Sequence, residues 1–287
     1  MRTLSDALDG VMAGPDLLIG LDVDGTILRH DTSLSPRVRE AILAHVAAGT
    51  HVIIATGRGI PGTQLALDAV GITSAYAVCS NGAIIAAFGE DQGLVPTTPI
   101  SPDIIDAPVR LVRARTFDPT REIERVMEAL PDVTIAVESM CSATRLSGPF
   151  PTGELMGNSV LVPSSELVTP DTTRVTIRAP HMTATQLLEA IEEIGLRGVE
   201  YTVGWSAWMD LAPHGISKAV GLQEVKEIVG ASRSVTVGDS GNDCEMLAWA
   251  DVGIVMGNSR DYVREFADTM VPHVNDDGLA VALEAML

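Results

Sequence analysis

The stretch Leu17–Leu21 constrains the fold more than any other part of this 287-residue chain. Its residues are all apolar or glycine, and it leads directly into Asp22. A strand that is solvated on one face alternates apolar and polar side chains, whereas an uninterrupted apolar run is typical of a strand covered on both faces. Sheets of such strands are usually parallel and need helical crossovers, which predicts an α/β protein.

Helical segments follow where such crossovers are needed. Ser35 and Pro36 have the pattern of an N-cap followed by proline at the first helical position, and Gly49 is the expected stop. Strand and helix then alternate again, and the same pattern returns near the C-terminus. We therefore predict a doubly wound parallel sheet, whose ligands bind beyond the carboxyl ends of the strands. The further predicted strands are 51–55, 75–79, 234–237 and 252–255, and the further predicted helices are 61–70, 216–229, 242–250, 259–266 and 278–286.

The middle of the chain, residues 85–212, has a different pattern. Pro- and Thr-rich links separate alternating strands, and two helical stretches, 119–130 and 183–194, are each followed by a strand. We interpret this part as an inserted α+β domain and predict that residues 1–84 and 213–287 rejoin into one core. The alternative, two sequential domains, leaves the C-terminal part with a sheet of only two or three strands.

Composition restricts the partners and the location. The formal net charge is −19, which opposes binding to nucleic acid or to anionic lipid at long range. No apolar run approaches the roughly 20 residues needed to span a bilayer, and the N-terminus lacks a secretory signal pattern, so we expect a cytoplasmic protein without a membrane or nucleic-acid partner. Three widely spaced cysteines suggest neither a disulfide framework nor a zinc site.

Carboxylates cluster in the sequence at the ends of predicted strands. Asp22 and Asp24 are two residues apart, so on a regular strand they point to the same face. Adjacent like charges are unfavourable unless something offsets them, and a divalent cation does so. Mg²⁺ prefers oxygen ligands, and Asp239 and Asp243 offer further carboxylates near the end of another predicted strand.

Four segments together resemble the four motifs of the haloacid dehalogenase-like phosphatase superfamily, in their order and in their placement: Asp22-Val23-Asp24-Gly25-Thr26, Thr56-Gly57-Arg58, Lys218, and Gly238-Asp239-Ser240-Gly241-Asn242-Asp243. Asn81-Gly82 after the third strand, the insertion near it, and Gly215-Ile216-Ser217-Lys218 resemble the Cof-type subfamily with a type C2B cap. The resemblance covers the whole chain. It implies a core with a Rossmann-like sheet and a cap domain that selects the substrate.

The resemblance also implies a mechanism. Asp22 becomes phosphorylated, and Asp24 protonates the leaving alkoxide and later deprotonates the attacking water. These two jobs require opposite protonation states of Asp24. Mg²⁺ is held by the Asp22 carboxylate, the Asp24 backbone carbonyl and Asp239, with support from Asp243.

The resemblance further implies that several uncharged groups and one cation bind the phosphate. Thr56, Gly57 and Lys218 are expected to bind phosphoryl oxygens, and Asn242 is expected to position the phosphate or a metal-bound water. Asn81 is a further candidate for substrate contact, although Asn-Gly is also an ordinary turn dipeptide.

Other candidate residues have competing interpretations. Arg58 is equally compatible with a structural ion pair and with ligand contact. Arg145 and Arg178 are the cations of the inserted domain that we expect to bind a second anionic group of the substrate. Trp205 and Trp208 could line a pocket, but their spacing beside apolar neighbours favours packing.

The predicted activity is hydrolysis of a small phosphorylated metabolite, either a sugar phosphate or a phosphorylated cofactor. One alternative is phosphoryl transfer as in phosphomannomutase-like relatives. Another is a protein that binds a phosphorylated ligand without turnover. The sequence offers no functional account of the first fourteen or so residues.

Overall fold

The structure, a computed structural model, describes residues 1–90, 93–100, 108–140, 143–151, 155–203 and 207–287. Within these ranges, no helix combines the length and the apolar character needed to cross a membrane. The strands are β1 (Leu17–Leu21), β2 (His51–Ala55), β3 (Ala75–Cys79), β4 (Ile84–Phe88), β5 (Thr98–Pro99), β6 (Val109–Ala114), β7 (Thr134–Ser139), β8 (Thr144–Leu146), β9 (Ser159–Leu161), β10 (Thr172–Arg178), β11 (Val199–Val203), β12 (Trp208–Pro213), β13 (Arg233–Gly238), β14 (Val252–Val255) and β15 (Thr269–Met270). The α-helices are α1 (Leu4–Ala7), α2 (Pro36–Ala47), α3 (Ile60–Val70), α4 (Thr120–Ala129), α5 (Ala184–Ile194), α6 (Lys218–Val229), α7 (Cys244–Trp249), α8 (Asp261–Arg264) and α9 (Gly278–Glu284).

The larger sheet is the core of the molecule, in the order β15-β14-β13-β1-β2-β3-β4-β6-β5. The strands from β15 to β3 are parallel, whereas β4, β6 and β5 pair antiparallel. The predicted α/β class with a central parallel sheet is confirmed. Strands from both sides of the middle segment share this sheet, as an inserted domain requires.

The strand pairing differs from the predicted boundary at residue 84. β4 begins at Ile84 and pairs with β3, and β6 pairs with β4, so residues 84–88 and 109–114 extend the core sheet. The tight turn between β3 and β4 has the sequence pattern of a link into another domain, and the predicted boundary rests on that pattern. We propose that the inserted domain instead extends from the end of β6 at Ala114 to the end of β12 at Pro213.

The turn between β3 and β4 is a single 3₁₀ turn, Ser80–Gly82. All three residues have positive φ, with 50° at Ser80, 55° at Asn81 and 101° at Gly82. Asparagine and glycine tolerate this left-handed region better than most residues. The turn reverses the chain direction and leaves Asn81 at the carboxyl end of β3.

Helix α6 lies unusually close to the core sheet, and two glycines permit this. A Cβ atom on Gly221 would lie 2.5 Å from Cγ1 of Val78, and one on Gly20 of β1 would lie 2.8 Å from Cδ1 of Leu222. Real Cβ atoms do not approach other atoms so closely, so larger residues would push the helix outward. The close approach brings the first residue of the helix, Lys218, to the carboxyl end of β1.

The second sheet belongs to the inserted domain and has the order β11-β12-β10-β7-β8-β9. The predicted helix-then-strand units are observed as α4 with β7 and as α5 with β11. Apolar residues of β7, β10 and β12 form one buried cluster with α4 and α5. Successive strand residues point to opposite faces, so the polar residues between them face away from this cluster.

The N-terminal segment covers the edge of the core sheet at β15. The Arg2 amide donates to the carbonyl of Asp268 at 2.9 Å, and the Thr269 hydroxyl donates to the Arg2 carbonyl at 3.0 Å. Leu8 and Val11 are buried in the main core cluster. The segment therefore has a structural explanation that the sequence alone did not provide.

Replacing Leu8 by alanine tests whether this segment belongs to the folded core. Loss of a buried leucine side chain is expected to lower the free energy of unfolding by about 2–4 kcal/mol. Leu65→Ala on α3 is the matched control, because Leu65 is 51% exposed and should change stability by less than about 0.5 kcal/mol. Urea unfolding followed by circular dichroism measures both variants. Equal losses would contradict the assignment.

Candidate functional site

The candidate site lies at the carboxyl edge of the parallel strands. Leu21 of β1 is in register with Ile54 of β2 and with Val237 of β13. The residues that follow these strands are therefore neighbours, and the sequence-predicted Asp22 and Asp239 are two of them. Parallel α/β sheets bind their ligands at this edge.

Lys218 is the centre of the buried part of the site. Its side chain is completely buried, and its Nζ donates to Oδ1 of Asp22 at 2.6 Å and to Oδ1 of Asp243 at 2.7 Å. Burial disfavours the charged amine, but the two carboxylates outweigh this and raise the pKa of Lys218 above its usual value. Lys218 is therefore a fixed cation that holds two acidic groups in place.

Three carboxylates surround this region: Asp22, Asp239 and Asp243 each offer an oxygen within 4.8 Å of the other two. The three are not equivalent. Oδ2 of Asp243 accepts the backbone amides of Asp239 and Ser240, each at 2.9 Å, and Lys218 occupies its other oxygen. Asp243 is thus occupied in orienting the loop after β13, as a helix-capping residue would be.

The two carboxylate oxygens of Asp239 differ in their hydrogen bonding. Its Oδ2 accepts from Nδ2 of Asn258 at 2.9 Å, whereas its buried Oδ1 has no hydrogen-bond partner among the described residues. Asn258 was not predicted from the sequence, because it lies in a loop after β14 without a motif. A buried carboxylate oxygen without a hydrogen-bond partner is energetically unfavourable. It therefore requires a partner that is not a protein group, such as a bound ion or water.

The electrostatics of this cluster fit a metal ion. Burial, opposed by Lys218, raises the pKa of Asp22 to about 7. Burial and the charges of Asp22 and Asp243 raise the pKa of Asp239 to about 9. Three buried carboxylates face one buried amine, so the cluster has excess negative charge whenever all three are ionised, as they are when they bind a cation. An oxygen-only donor set with excess negative charge suits a hard divalent cation.

Asp24 lies outside this buried cluster. Its side chain is 60% exposed and forms a two-point ion pair with Arg58, from Nε to Oδ2 at 2.9 Å and from Nη2 to Oδ1 at 2.6 Å. Arg58, for which the sequence left an ion pair and ligand contact open, therefore makes the ion pair. Both side chains also line the cavity described below.

The predicted phosphate-binding residues form the wall beside Asp22. Thr56 is almost fully buried, and its Oγ1 accepts the Arg58 amide at 3.1 Å. Nδ2 of Asn242 donates to Oδ1 of Asn81 at 3.0 Å, which connects the loops after β13 and β3. Thr56, Gly57 and Asn242 line the cavity.

The cavity has a volume of about 540 Å³ and lies between the core edge and the inserted domain. Its size suits a small molecule. Asp22 and Trp208 both line the cavity. For Trp208 the sequence left a place in a pocket wall open but favoured packing. The Trp208 ring meets Phe150 edge to face, and its Nε1 donates to Oδ1 of Asp210 at 3.0 Å. Trp205 lies outside the described residues.

The two cations expected to bind a second anionic group are not part of the described cavity lining. Nη1 of Arg145 donates to the Glu166 carbonyl at 2.6 Å, and Nη1 of Arg178 donates to the Ala207 carbonyl at 3.4 Å. The inserted domain instead contributes Arg174. The alternating sequence of β10 contained this signal, but β10 is not among the strands predicted from the sequence.

Arg174 is held between two carboxylates. Its Nη1 donates to Oε1 of Glu138 at 2.8 Å, and its Nη2 donates to both oxygens of Asp210, at 2.8 and 2.9 Å. Burial lowers the pKa of Arg174, but the two acids outweigh this and raise it. Burial raises the pKa of Glu138, which Arg174 opposes. Asp210 is also 3.4 Å from Nδ2 of Asn81, so this group contacts the core.

Comparison with known proteins agrees with this geometry. A sequence model of the haloacid dehalogenase-like hydrolase family matches residues 19–283. The chain belongs to this family. The Bacillus subtilis 5-amino-6-(5-phospho-D-ribitylamino)uracil phosphatase YitU is 26% identical over 92% of this chain and 94% of its own length. A Natronomonas pharaonis phosphoglycolate phosphatase is 25% identical over 93% of this chain and 96% of its own length.

Solved structures of haloacid dehalogenase-like proteins share the fold. One from B. subtilis has a TM-score of 0.74 at 19% identity and covers 94% of this chain and 99% of that chain. A sugar phosphatase of haloacid dehalogenase subclass IIB has a TM-score of 0.72 at 20% identity and covers 93% of this chain and 97% of that chain. The predicted family, with its parallel core and inserted domain, is confirmed.

Replacing Lys218 by methionine tests its role in this haloacid dehalogenase-like core. The variant leaves Asp22 and Asp243 buried without their cation, so the free energy of unfolding in metal-free buffer is expected to fall by about 3–5 kcal/mol. Lys226→Met, on the same helix, removes the partly exposed pair with Asp251, a hydrogen bond to Ser234 and a cation–π contact with Trp249, and should cost about 1–2 kcal/mol. Urea unfolding measures both, and similar losses would contradict the assigned role.

The loss caused by Lys218→Met is expected to be larger at pH 8 than at pH 5.5. The pKa of Asp22 is raised from 3.8 to about 7, so its contribution to stability is present at low pH and is lost as the pH rises through 7. Without the lysine, the ionised carboxylates repel one another most strongly at high pH. A loss independent of pH would argue against an electrostatic origin.

Proposed function

We propose that this protein is a Mg²⁺-dependent phosphatase that hydrolyses a small phosphorylated metabolite, a sugar phosphate or a phosphorylated cofactor, through an aspartyl-phosphate on Asp22. One observation carries the proposal. Asp22 lies at the floor of the cavity, its Oδ1 is bound by the buried Lys218, and the unpartnered oxygen of Asp239 lies beside it. This arrangement provides a fixed nucleophile next to a site for a cation.

In the first step, an Asp22 oxygen forms a bond to phosphorus while the bond from phosphorus to the ester oxygen breaks. Asp24 gives its proton to the departing alkoxide. In the second step, water attacks the phosphorus, Asp24 takes a proton from that water, and the bond to Asp22 breaks. The products are the alcohol and inorganic phosphate, and Asp22 is restored. One difficult displacement is thus split into two easier ones.

The ion pair with Arg58 bears on this mechanism. Arg58 binds both oxygens of Asp24 and keeps them outside the buried cluster. Asp24 therefore has to leave Arg58 in order to take up a proton and reach the ester oxygen. We propose that the incoming phosphate competes for Arg58 and so releases Asp24.

The remaining residues have supporting roles. Asp22 and Asp239 would hold Mg²⁺, with the backbone carbonyl of Asp24, and Asp243 would support them by orienting Lys218. When bound, Mg²⁺ supplies positive charge opposite the phosphoryl oxygens. Lys218 stabilises the negative charge from a fixed position.

The wall beside Asp22 would bind the phosphoryl group. Thr56, Gly57 and Asn242 line the cavity there, so their polar groups are available to phosphoryl oxygens. Relatives act on different organic groups, since one is named for a ribitylaminouracil phosphate and another for phosphoglycolate. These names and the cavity volume support a small phosphate ester as the substrate.

Replacing Asp22 by asparagine tests the nucleophile. Phosphate release from p-nitrophenyl phosphate with Mg²⁺ is expected to fall by more than about 10³-fold, because the amide is a poor nucleophile. Removal of Mg²⁺ with EDTA should abolish wild-type turnover. Asp261→Asn is the control, since the Asp261 side chain is 97% exposed. Isomerisation of a sugar phosphate without net phosphate release would instead indicate a mutase, and tight retention without turnover a binding protein.

Replacing Asp24 by asparagine tests the two steps separately. p-Nitrophenolate leaves without help from an acid, so the first step proceeds, whereas hydrolysis of the aspartyl-phosphate lacks its base. We expect a burst of about one p-nitrophenolate per active site, followed by slow turnover. Rapid-mixing absorbance measures the burst. Steady turnover at the wild-type rate would show that Asp24 is not the base.

A further inference from the structure

Three charged residues of the inserted domain line the cavity opposite Asp22. Glu138 on β7, Arg174 on β10 and Asp210 on β12 lie on adjacent strands of the second sheet, and we call them the cap triad. Arg174 alone looks like a binding site for an anion. However, the two carboxylates beside Arg174 already bind it.

The cap triad carries a net negative charge when both of its acids are ionised. The Arg174 side chain is largely buried, at 8% exposure, and both of its terminal nitrogens donate to the carboxylates of Glu138 and Asp210. Its Nε is buried as well. Two carboxylates against one guanidinium leave one unit of negative charge. Arg174 is therefore already paired with two carboxylates and is not a free cation for an anionic ligand.

The other lysine and arginine side chains near the cavity are also compensated. Arg58 is paired with both oxygens of Asp24, and Lys218 lies between Asp22 and Asp243. The residues outside the described ranges include no lysine, arginine or histidine in the sequence. Thus, among the described residues at the cavity, each of these lysine and arginine side chains is already paired with carboxylates.

The cap triad lies close to the end of the cavity where the phosphate is proposed to bind, which we call the phosphate end. Asp210 contacts Asn81, whose Oδ1 in turn accepts from Asn242. A Cβ atom placed on Gly59, in the loop after β2, would be only 2.6 Å from Oε2 of Glu138. The organic group attached to the phosphate therefore has to pass the two carboxylates of the cap triad.

We propose that the cap triad excludes substrates with a second anionic group and selects an uncharged, hydroxyl-bearing organic group. This inference rests on the proposed phosphatase function and specifies its substrate class. A carboxylate or a second phosphate is repelled by the net charge of the cap triad. Hydroxyl groups donate to the Glu138 carboxylate instead, because the Asp210 oxygens already accept from Arg174, Thr176, Trp208 and Asn81. A polyol phosphate fits this chemistry, and a phosphorylated carboxylic acid does not.

Two substrates that differ in one group provide the test. Sorbitol 6-phosphate and 6-phosphogluconate are identical except that a CH₂OH group in the first is a carboxylate in the second. Competition between them in one reaction at pH 8 with Mg²⁺ gives the ratio of their kcat/KM values. This ratio is independent of the fraction of folded enzyme, so a poorly folding variant remains informative.

The wild-type kcat/KM for sorbitol 6-phosphate is expected to exceed that for 6-phosphogluconate by about tenfold or more. This is the effect expected when one unit charge repels another several ångströms away in a partly hydrated cavity. Glu138→Gln neutralises the cap triad and should reduce this preference about tenfold. Glu124→Gln is the matched control, because Glu124 is exposed on α4 and is not among the residues that line the cavity. It should leave the ratio unchanged.

The outcomes separate this inference from the proposed function. A ratio near one, or a preference for 6-phosphogluconate, overturns the inference while phosphate release still supports the phosphatase. A wild-type preference that Glu138→Gln leaves unchanged overturns the assignment to the cap triad. Absence of phosphate release from both esters and from p-nitrophenyl phosphate overturns the proposed function and the inference together.

Discussion

The contact of Lys218 with Asp22 and Asp243 is the interaction on which the rest of the site depends. Its three members come from β1, from the helix that follows the inserted domain, and from the loop after β13. A buried ammonium is stable only when carboxylates satisfy it, and the carboxylates need the ammonium in return. The contact therefore joins the two halves of a core that the inserted domain separates in sequence. The close approach of α6 to the sheet makes this geometry possible.

Much of this core was predictable because it depends on local patterns. The strands Leu17–Leu21, His51–Ala55 and Ala75–Cys79 have the predicted bounds, since each is a short apolar run with clear turn signals. The residues after them come together because parallel strands end at the same edge. Asp22 and Asp239 could thus be predicted as neighbours from a chain in which 216 other residues lie between them.

The rest depends on contacts between distant segments, which local patterns do not contain. The sequence placed residues 85–88 in the inserted domain, whereas β4 pairs with β3 in the larger sheet, and such pairing is not visible in composition. The partner of Asp24 was left open because an exposed carboxylate and Arg58 meet only after folding. Arg145 and Arg178 were chosen for their charge, yet Arg174 is the cation of the inserted domain at the cavity. Charge alone does not reveal which side of a strand faces a ligand.

The covered edge at β15 affects how this protein behaves among copies of itself. An uncovered edge strand exposes unpaired amides and carbonyls to which another chain can add a strand. Here the Arg2 backbone binds the Asp268 carbonyl and the Thr269 hydroxyl, and the net charge of −19 adds repulsion between molecules. Shortening the chain at its N-terminus would therefore remove more than a few core contacts. It would also uncover the outer edge of β15, where an edge strand can pair with another chain.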